Sequence, residues 1–91
     1  MEEPMDAEKG YNGWKNRQTW NVALWVGNDE PLYLAAVDYV KRQRAAGKRV
    51  SYAGFAREMG LAGDKTPDGI AWTGTRLDYR HLSEMMRELV S

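Results

Sequence analysis

Apolar residues near the carboxyl end of the sequence recur at the three- and four-residue spacing of one helix face. The apolar members of this pattern are Tyr79, Leu82, Met85, Met86, Leu89 and Val90. Charged and polar side chains fill the opposite face of the same stretch. Asp78 precedes the pattern, and a short carboxylate at that position accepts hydrogen bonds from the free N–H groups of a first helical turn. The pattern therefore predicts an amphipathic helix capped by Asp78.

Two further helices are predicted in the first half of the sequence. The segment 19–26 (TWNVALWV) is apolar nearly all round, which is typical of a buried helix, although a central strand also fits so short a run. Asn16 is a candidate N-cap for this helix. Residues 28–31 (NDEP) then supply a polar cap, acidic groups and an early proline, which together favour a helix start. The second helix is predicted to run to about residue 46, before Gly47.

A short helix and a long loop are predicted between these helices and the closing one. Ser51 can cap a third helix, which ends at Gly60. Residues 60–76 contain four glycines and a proline, a composition typical of a loop. We expect Ile70 and Trp72 to fix this loop to the core, so that it is ordered.

Aromatic side chains are the unusual part of the composition, with 4 Trp, 5 Tyr and 1 Phe in 91 residues. Each buried aromatic ring removes about 150–250 Å² from water, so a few of them can dominate a small core. The residues expected in the core are Trp14, Trp20, Trp25, Tyr33, Phe55 and Trp72. The sequence thus predicts a mainly α fold: one compact domain over residues 11–91, with three or four helices around an aromatic core. Residues 1–10, which are polar and acidic, are expected to form a disordered leader.

Composition excludes several classes of function. The chain has no cysteine, which rules out disulfides, cysteine zinc sites and thiol nucleophiles. The one histidine, His81, has no Ser or Asp placed by the sequence to orient it as a general base. Phosphate-cradling glycine loops, nucleophile elbows and metal-ligand spacings are lacking, and no segment approaches the roughly 18 consecutive apolar residues of a membrane span. We therefore expect an intracellular protein that is not an enzyme and holds no cofactor.

A basic run is the strongest candidate for a binding site. Five cations lie within nine residues: Lys41, Arg42, Arg44, Lys48 and Arg49. They could contact phosphates or an acidic partner surface. A solvated helix end, with cations beside the terminal carbonyl groups, is the structural alternative. The formal net charge of +0 argues against a dedicated nucleic-acid binder, which is usually basic overall.

Two aromatic residues are further contact candidates. Tyr11 and Trp14 lie in a turn-forming stretch near the start of the sequence, and exposed aromatic rings are frequent at protein interfaces.

The sequence disfavours a helix-turn-helix motif. Residues 55–61 are similar to the first helix of that motif, but Gly63, Pro67 and Gly69 interrupt the segment where the recognition helix should follow.

The segment 12–25 (NGWKNRQTWNVALW), followed by residues 28–30 (NDE), resembles a known signature. A family of small proteins from phages, prophages and related mobile elements carries N-G-W-x-N-x-x-T-W-N-V-A-L-W. The turn at residues 66–69 (TPDG) and the closing helix are similar as well. The family has no settled activity, so the resemblance implies no catalytic residue.

The resemblance does imply a setting, the cytoplasm of a bacterial host that carries a mobile element. In that setting we expect a non-enzymatic binding protein that inhibits a host defence complex in the anti-CRISPR manner. It would cover a nucleic-acid or subunit contact surface, and its partner would be a host protein or nucleoprotein complex. The alternative is a nucleic-acid-binding accessory or regulatory protein that uses the same cations.

Overall fold

A computed structural model describes residues 13–90. The predicted leader, residues 1–10, and Tyr11 lie outside the described residues. Four helices lie wholly within this range: α1 (Arg17–Asn28), α2 (Glu30–Ala45), α3 (Tyr52–Glu58) and α4 (Tyr79–Glu88). Within residues 13–90, β pairing is limited to one isolated bridge, between Lys65 and Ala71. The prediction of a mainly α fold with a long loop before the last helix is confirmed.

Each helix begins at a short polar side chain that accepts a hydrogen bond from a backbone N–H of the first turn. The four N-caps are Asn16, Asp29, Ser51 and Asp78, with donor–acceptor distances of 2.8, 3.2, 3.0 and 3.1 Å. Asp29 also ends α1, because its own N–H donates to the carbonyl of Trp25. A single residue thus joins α1 to α2 with no connecting loop, and the angle between these helices is set locally.

The core lies where α4 meets the other three helices. Its largest fully buried apolar side chains are Val22, Val26, Val40, Tyr52, Phe55, Leu82 and Met86. The rings of Tyr39 and Tyr52 flank Phe55, with centroid separations of 5.7 and 6.3 Å. Trp72 and Leu77 from the long loop are also buried, so the loop is fixed to the core as expected.

An aromatic core is confirmed, but the expected membership was wrong in part. Phe55 and Trp72 are buried, and half-buried Trp14 and Trp25 pack against the core. Trp20 and Tyr33 are half-buried and do not belong to that cluster. The phenols of Tyr39 and Tyr52 take the central places instead. Tyr52 is satisfied there because its hydroxyl donates to the carbonyl of Trp72 at 2.7 Å. Trp25 stays at the edge because its indole N–H donates to an exposed carboxylate of the loop.

Helix α1 is buried on one side only, so the prediction of a helix buried all round was wrong. Leu24 is 36% exposed, whereas Asn21, the polar exception in the run, is 1% exposed. Asn21 is buried because its side chain forms the hydrogen bonds that fasten the loop to α1, and the loop therefore covers it.

In the described part of the chain, no helix has the length and apolar character to cross a membrane.

Candidate functional site

The basic run of residues 41–49 divides into cations that hold the fold and cations that face outward. Arg42 belongs to the first group. Its Nε donates to Asp38 at 2.7 Å, and its guanidinium also pairs with Glu58. Hydrogen bonds from Arg42 to Glu58 and then to Asp38 raise the pKa of the guanidinium above its ordinary value. Arg42 thereby links α2 to α3.

Arg44 serves the fold in a different way. Its guanidinium donates to the carbonyl groups of Val90 and Arg87, at 2.8 and 3.2 Å. These carbonyls lie at the end of α4, where backbone acceptors lack partners within the helix and carry partial negative charge. Arg44 therefore fixes the end of α4 against α2.

Lys41, Lys48 and Arg49 are exposed. Within residues 13–90, no acidic side chain forms an ion pair with any of the three. The backbone of Arg49 is held in place, because Gln43 Nε2 donates to its carbonyl at 2.7 Å. The prediction that these three residues contact a partner stays a prediction, and the structure leaves their charges available for it.

Arg49 lies at the edge of an open groove of about 530 Å³ between α3 and α4. Two more arginines line this groove, Arg57 on α3 and Arg80 on α4. The remaining lining residues are Ser51, Ala53, Tyr79 and Ser83. We call this feature the arginine groove. Three cations from three separate segments of the chain therefore converge on one concave surface.

These three guanidiniums are largely uncommitted within the described structure. No acidic side chain among residues 13–90 pairs with Arg49 or Arg57. Arg80 Nε lies 3.6 Å from Glu84, in a pair whose two side chains are 87% and 47% exposed. An exposed pair of that kind contributes little free energy, so Arg80 can exchange its partner at small cost.

The walls of the arginine groove are held by hydrogen bonds beneath them. The Ser83 hydroxyl donates to the carbonyl of Tyr79 at 2.8 Å and accepts from the N–H of Tyr52 at 2.9 Å, which joins α4 to α3. The Tyr79 hydroxyl donates to the carbonyl of Gly74 at 3.0 Å. Burial raises the pKa of the Tyr79 phenol. The phenol is therefore neutral near neutral pH, and these bonds connect α3, α4 and the loop beneath the groove.

The net charge of zero conceals an uneven distribution. Residues 1–12 contain four acidic side chains and one lysine. Residues 13–91 consequently carry twelve Lys and Arg against nine Asp and Glu, a net charge of +3. Residues 13–91 are therefore cationic, which the overall count did not reveal.

Trp14 is half-buried and stacks on His81, with ring centroids 3.9 Å apart and planes inclined by 27°. His81 is thus engaged with an indole at the boundary between the polar and apolar faces of α4. Trp14 also borders a shallow apolar groove of about 310 Å³ between α1 and α4, together with Trp20, Leu24, Met85 and Leu89. The predicted contact role of Trp14 stays a prediction.

Polar residues of the signature segment fasten α1 to the loop before α4. Asn16 Nδ2 donates to the carbonyl of Arg76 at 2.8 Å. The Thr19 hydroxyl donates to Asn16 Oδ1 at 2.6 Å and accepts from the N–H of Asp78 at 3.0 Å. The N-cap of the first helix is therefore connected to the N-cap of the last.

A second set of bonds holds the turn at residues 66–69. Asn21 Nδ2 and Trp25 Nε1 both donate to Asp68 Oδ2, at 2.8 and 2.9 Å. The Thr66 hydroxyl donates to Asn21 Oδ1 at 2.7 Å. The bond from Asn21 and then the bond from Trp25 lower the pKa of Asp68. The polar side chains of the signature thus fasten the loop, on a different part of the surface from the arginine groove.

Sequence reasoning missed Arg57 and Arg80 as candidate contact residues. Each was visible as a cation on the polar face of a predicted helix, which is usually a solvated position. Only the packing of α3 against α4 brings them to the same groove as Arg49, and spacing along the sequence carries no signal for that packing.

Among residues 13–90, no group of three or more His, Asp or Glu side chains could hold a metal ion.

Comparison with known proteins gives one match. No curated protein and no solved structure matches the chain. A family model does match over residues 7–91, which is nearly the whole sequence and includes the signature segment, the arginine groove and the closing helix. The chain therefore belongs to the family of unknown function DUF7249.

Proposed function

We propose that this chain is a non-enzymatic binding protein that inhibits a host defence complex by covering one of its contact surfaces. The observation that carries the proposal is the convergence of Arg49, Arg57 and Arg80 on one open groove. Uncommitted guanidiniums on a preformed concave surface are suited to recognition, since Arg presents planar donors to carboxylates and phosphates. The similarity of the signature to proteins of mobile elements supports the host setting.

The size of the cationic surface favours a protein partner over naked nucleic acid. Nucleic-acid binders that depend on phosphate contacts commonly make about 6–10 of them. Here Arg42 and Arg44 are held by internal bonds, and Arg87 donates to the carbonyl of Val50 at 3.2 Å. The three groove arginines alone would supply about a third to a half of the usual contacts, and the exposed Lys41 and Lys48 are not among the residues that line the groove. A compact acidic area on a protein matches three clustered guanidiniums better.

The test combines capture with inhibition. The tagged full-length chain is expressed in a bacterial host, recovered complexes are identified, and the activity of each is measured with and without added purified chain. We expect one defined assembly that both co-purifies and loses activity. The double variant Arg49→Glu/Arg57→Glu should lose both capture and inhibition, because its two new carboxylates would repel the acidic side chains of the partner.

A matched control has the same change in charge outside the arginine groove. Lys15 and Lys65 are exposed, so Lys15→Glu/Lys65→Glu should still capture and inhibit. Equal capture by the groove variant would contradict the proposed site. Tight binding of purified chain to naked DNA or RNA, lost in the groove variant, would replace the proposal with a nucleic-acid-binding role. Through three phosphate contacts, binding to duplex DNA should weaken about 40-fold between 50 and 200 mM salt, and binding to a single strand about 20-fold.

A further inference from the structure

We infer that the arginine groove binds an acidic peptide segment that carries one aromatic or aliphatic side chain between its carboxylates. The inference rests on the proposed function and specifies the chemistry by which the partner is recognised. It follows from three properties of the groove: the polarity of its hydrogen-bonding groups, its uncharged lining and its size.

The groove offers donors to a ligand and no carboxylate. Its lining contains three guanidiniums and no Asp or Glu. The Ser51 oxygen accepts the N-cap bond from Gly54 at 3.0 Å, and its proton has no acceptor among the described residues. The Ser83 hydroxyl is used in both directions by the fold. A ligand that satisfies these groups must therefore be rich in acceptors and negatively charged, as a run of carboxylates is.

The lining also has an uncharged part that a bare anion would not use. Ala53 presents a methyl group, and Tyr79 presents a half-buried ring. Aromatic residues and arginine are both enriched at protein interfaces, where they bury the anchor side chains of a partner. An anchor of this type would cover both surfaces while the flanking carboxylates meet the arginines.

Size separates a peptide from a small ion. A volume of about 530 Å³ lies within the range of roughly 300–1,000 Å³ that ligand sites occupy. A single phosphate or carboxylate would leave most of that space filled with water. A short peptide would fill more of it, with one anchor and the adjacent backbone, because the groove is open and residues of both α3 and α4 line it.

The experiment uses the purified full-length chain and a fluorescently labelled synthetic peptide with Asp and Glu on both sides of a central Phe. Binding is followed by fluorescence anisotropy. Two comparison peptides carry either Asn and Gln in place of the acids or Gly in place of the Phe. We expect each change to weaken binding at least tenfold. Arg57→Gln should weaken the parent peptide to a similar degree, whereas Lys15→Gln should leave it unchanged.

A second measurement tests the anchor directly. Amide chemical shifts of Ala53 and Tyr79 should move with the parent peptide and much less with the Gly peptide. The inference is overturned by lack of binding, by equal affinity for the parent and Gly peptides, or by tighter binding of an oligonucleotide at the same groove. Peptide failure with intact capture and inhibition of a host complex refutes only this inference. Peptide binding without any inhibited host complex refutes the proposed function.

Discussion

The hydroxyl of Thr66 joins the long loop to α1, and Thr66→Val removes that hydroxyl with little change in shape. Thr66 is 3% exposed and donates to Asn21 Oδ1 at 2.7 Å. The same oxygen accepts from the N–H groups of Asp68 and Ile70, both at 3.2 Å. The substitution therefore removes one donor and one shared acceptor at the point where the loop meets the helix.

The expected cost follows from what remains unpaired. Asn21 is 1% exposed, so its Oδ1 would stay in the interior without its Thr66 donor. A buried polar group left unsatisfied costs about 1–3 kcal/mol. Asp68 is exposed, and its N–H can turn to water. We expect a loss of about 2 kcal/mol in the free energy of unfolding, equivalent to a fall in Tm of about 10 °C in a domain of this size.

Thermal and urea unfolding followed by circular dichroism measures this loss. Thr66→Ser keeps the hydroxyl and should retain most of the stability. Thr75→Val makes the same chemical change at an exposed position and should shift stability by less than about 0.5 kcal/mol. If Thr66→Val lowered the free energy of unfolding no more than Thr75→Val, the hydrogen bonds between the loop and α1 would contribute nothing measurable to stability. The stabilising role assigned to the signature segment would then be wrong.

Four further outcomes are expected. Gly54→Ala should lower Tm, because a Cβ there would lie 2.6 Å from the hydroxyl of buried Tyr39. Gly27→Ala, by contrast, would place its methyl group in open space within α1 and should raise the free energy of unfolding by about 0.5–1 kcal/mol. The pKa of Asp68 is lowered from 3.8, so the ionised carboxylate stabilises the fold above pH 3.8. This contribution to stability is lost as the pH falls through the lowered pKa. Asp68→Asn should therefore flatten the acidic end of a curve of Tm against pH. Arg42→Gln should lower Tm slightly in dilute buffer, and the difference from the parent chain should shrink with added salt, since its ion pairs are exposed.

The sequence predicted the helices well because their ends are determined locally. A short polar side chain before an apolar pattern satisfies first-turn N–H groups within three residues, so Asn16, Ser51 and Asp78 were identified as caps without knowledge of the fold. The face of α4 was equally clear, since its apolar spacing is a property of one helix.

Features that depend on distant residues could not be predicted in the same way. In the sequence, Asn21 is a polar interruption of an apolar run. Its role depends on Thr66, 45 positions away, whose hydroxyl donates a hydrogen bond to its side chain. The central roles of Tyr39 and Tyr52 depend on which hydroxyls find partners inside the fold, and ring type alone does not show that. The arginine groove is the extreme case, because its three cations come from three segments whose approach is decided by the core beneath them.

The hydrogen bonds between α1 and the loop use a different set of residues from the arginine groove, and this has an evolutionary consequence. Under the proposed function, exchanges at Arg49, Arg57 or Arg80 would alter the preferred target while the hydrogen bonds between α1 and the loop remain intact. One scaffold would then serve successive targets, with specificity revised at a few exposed positions.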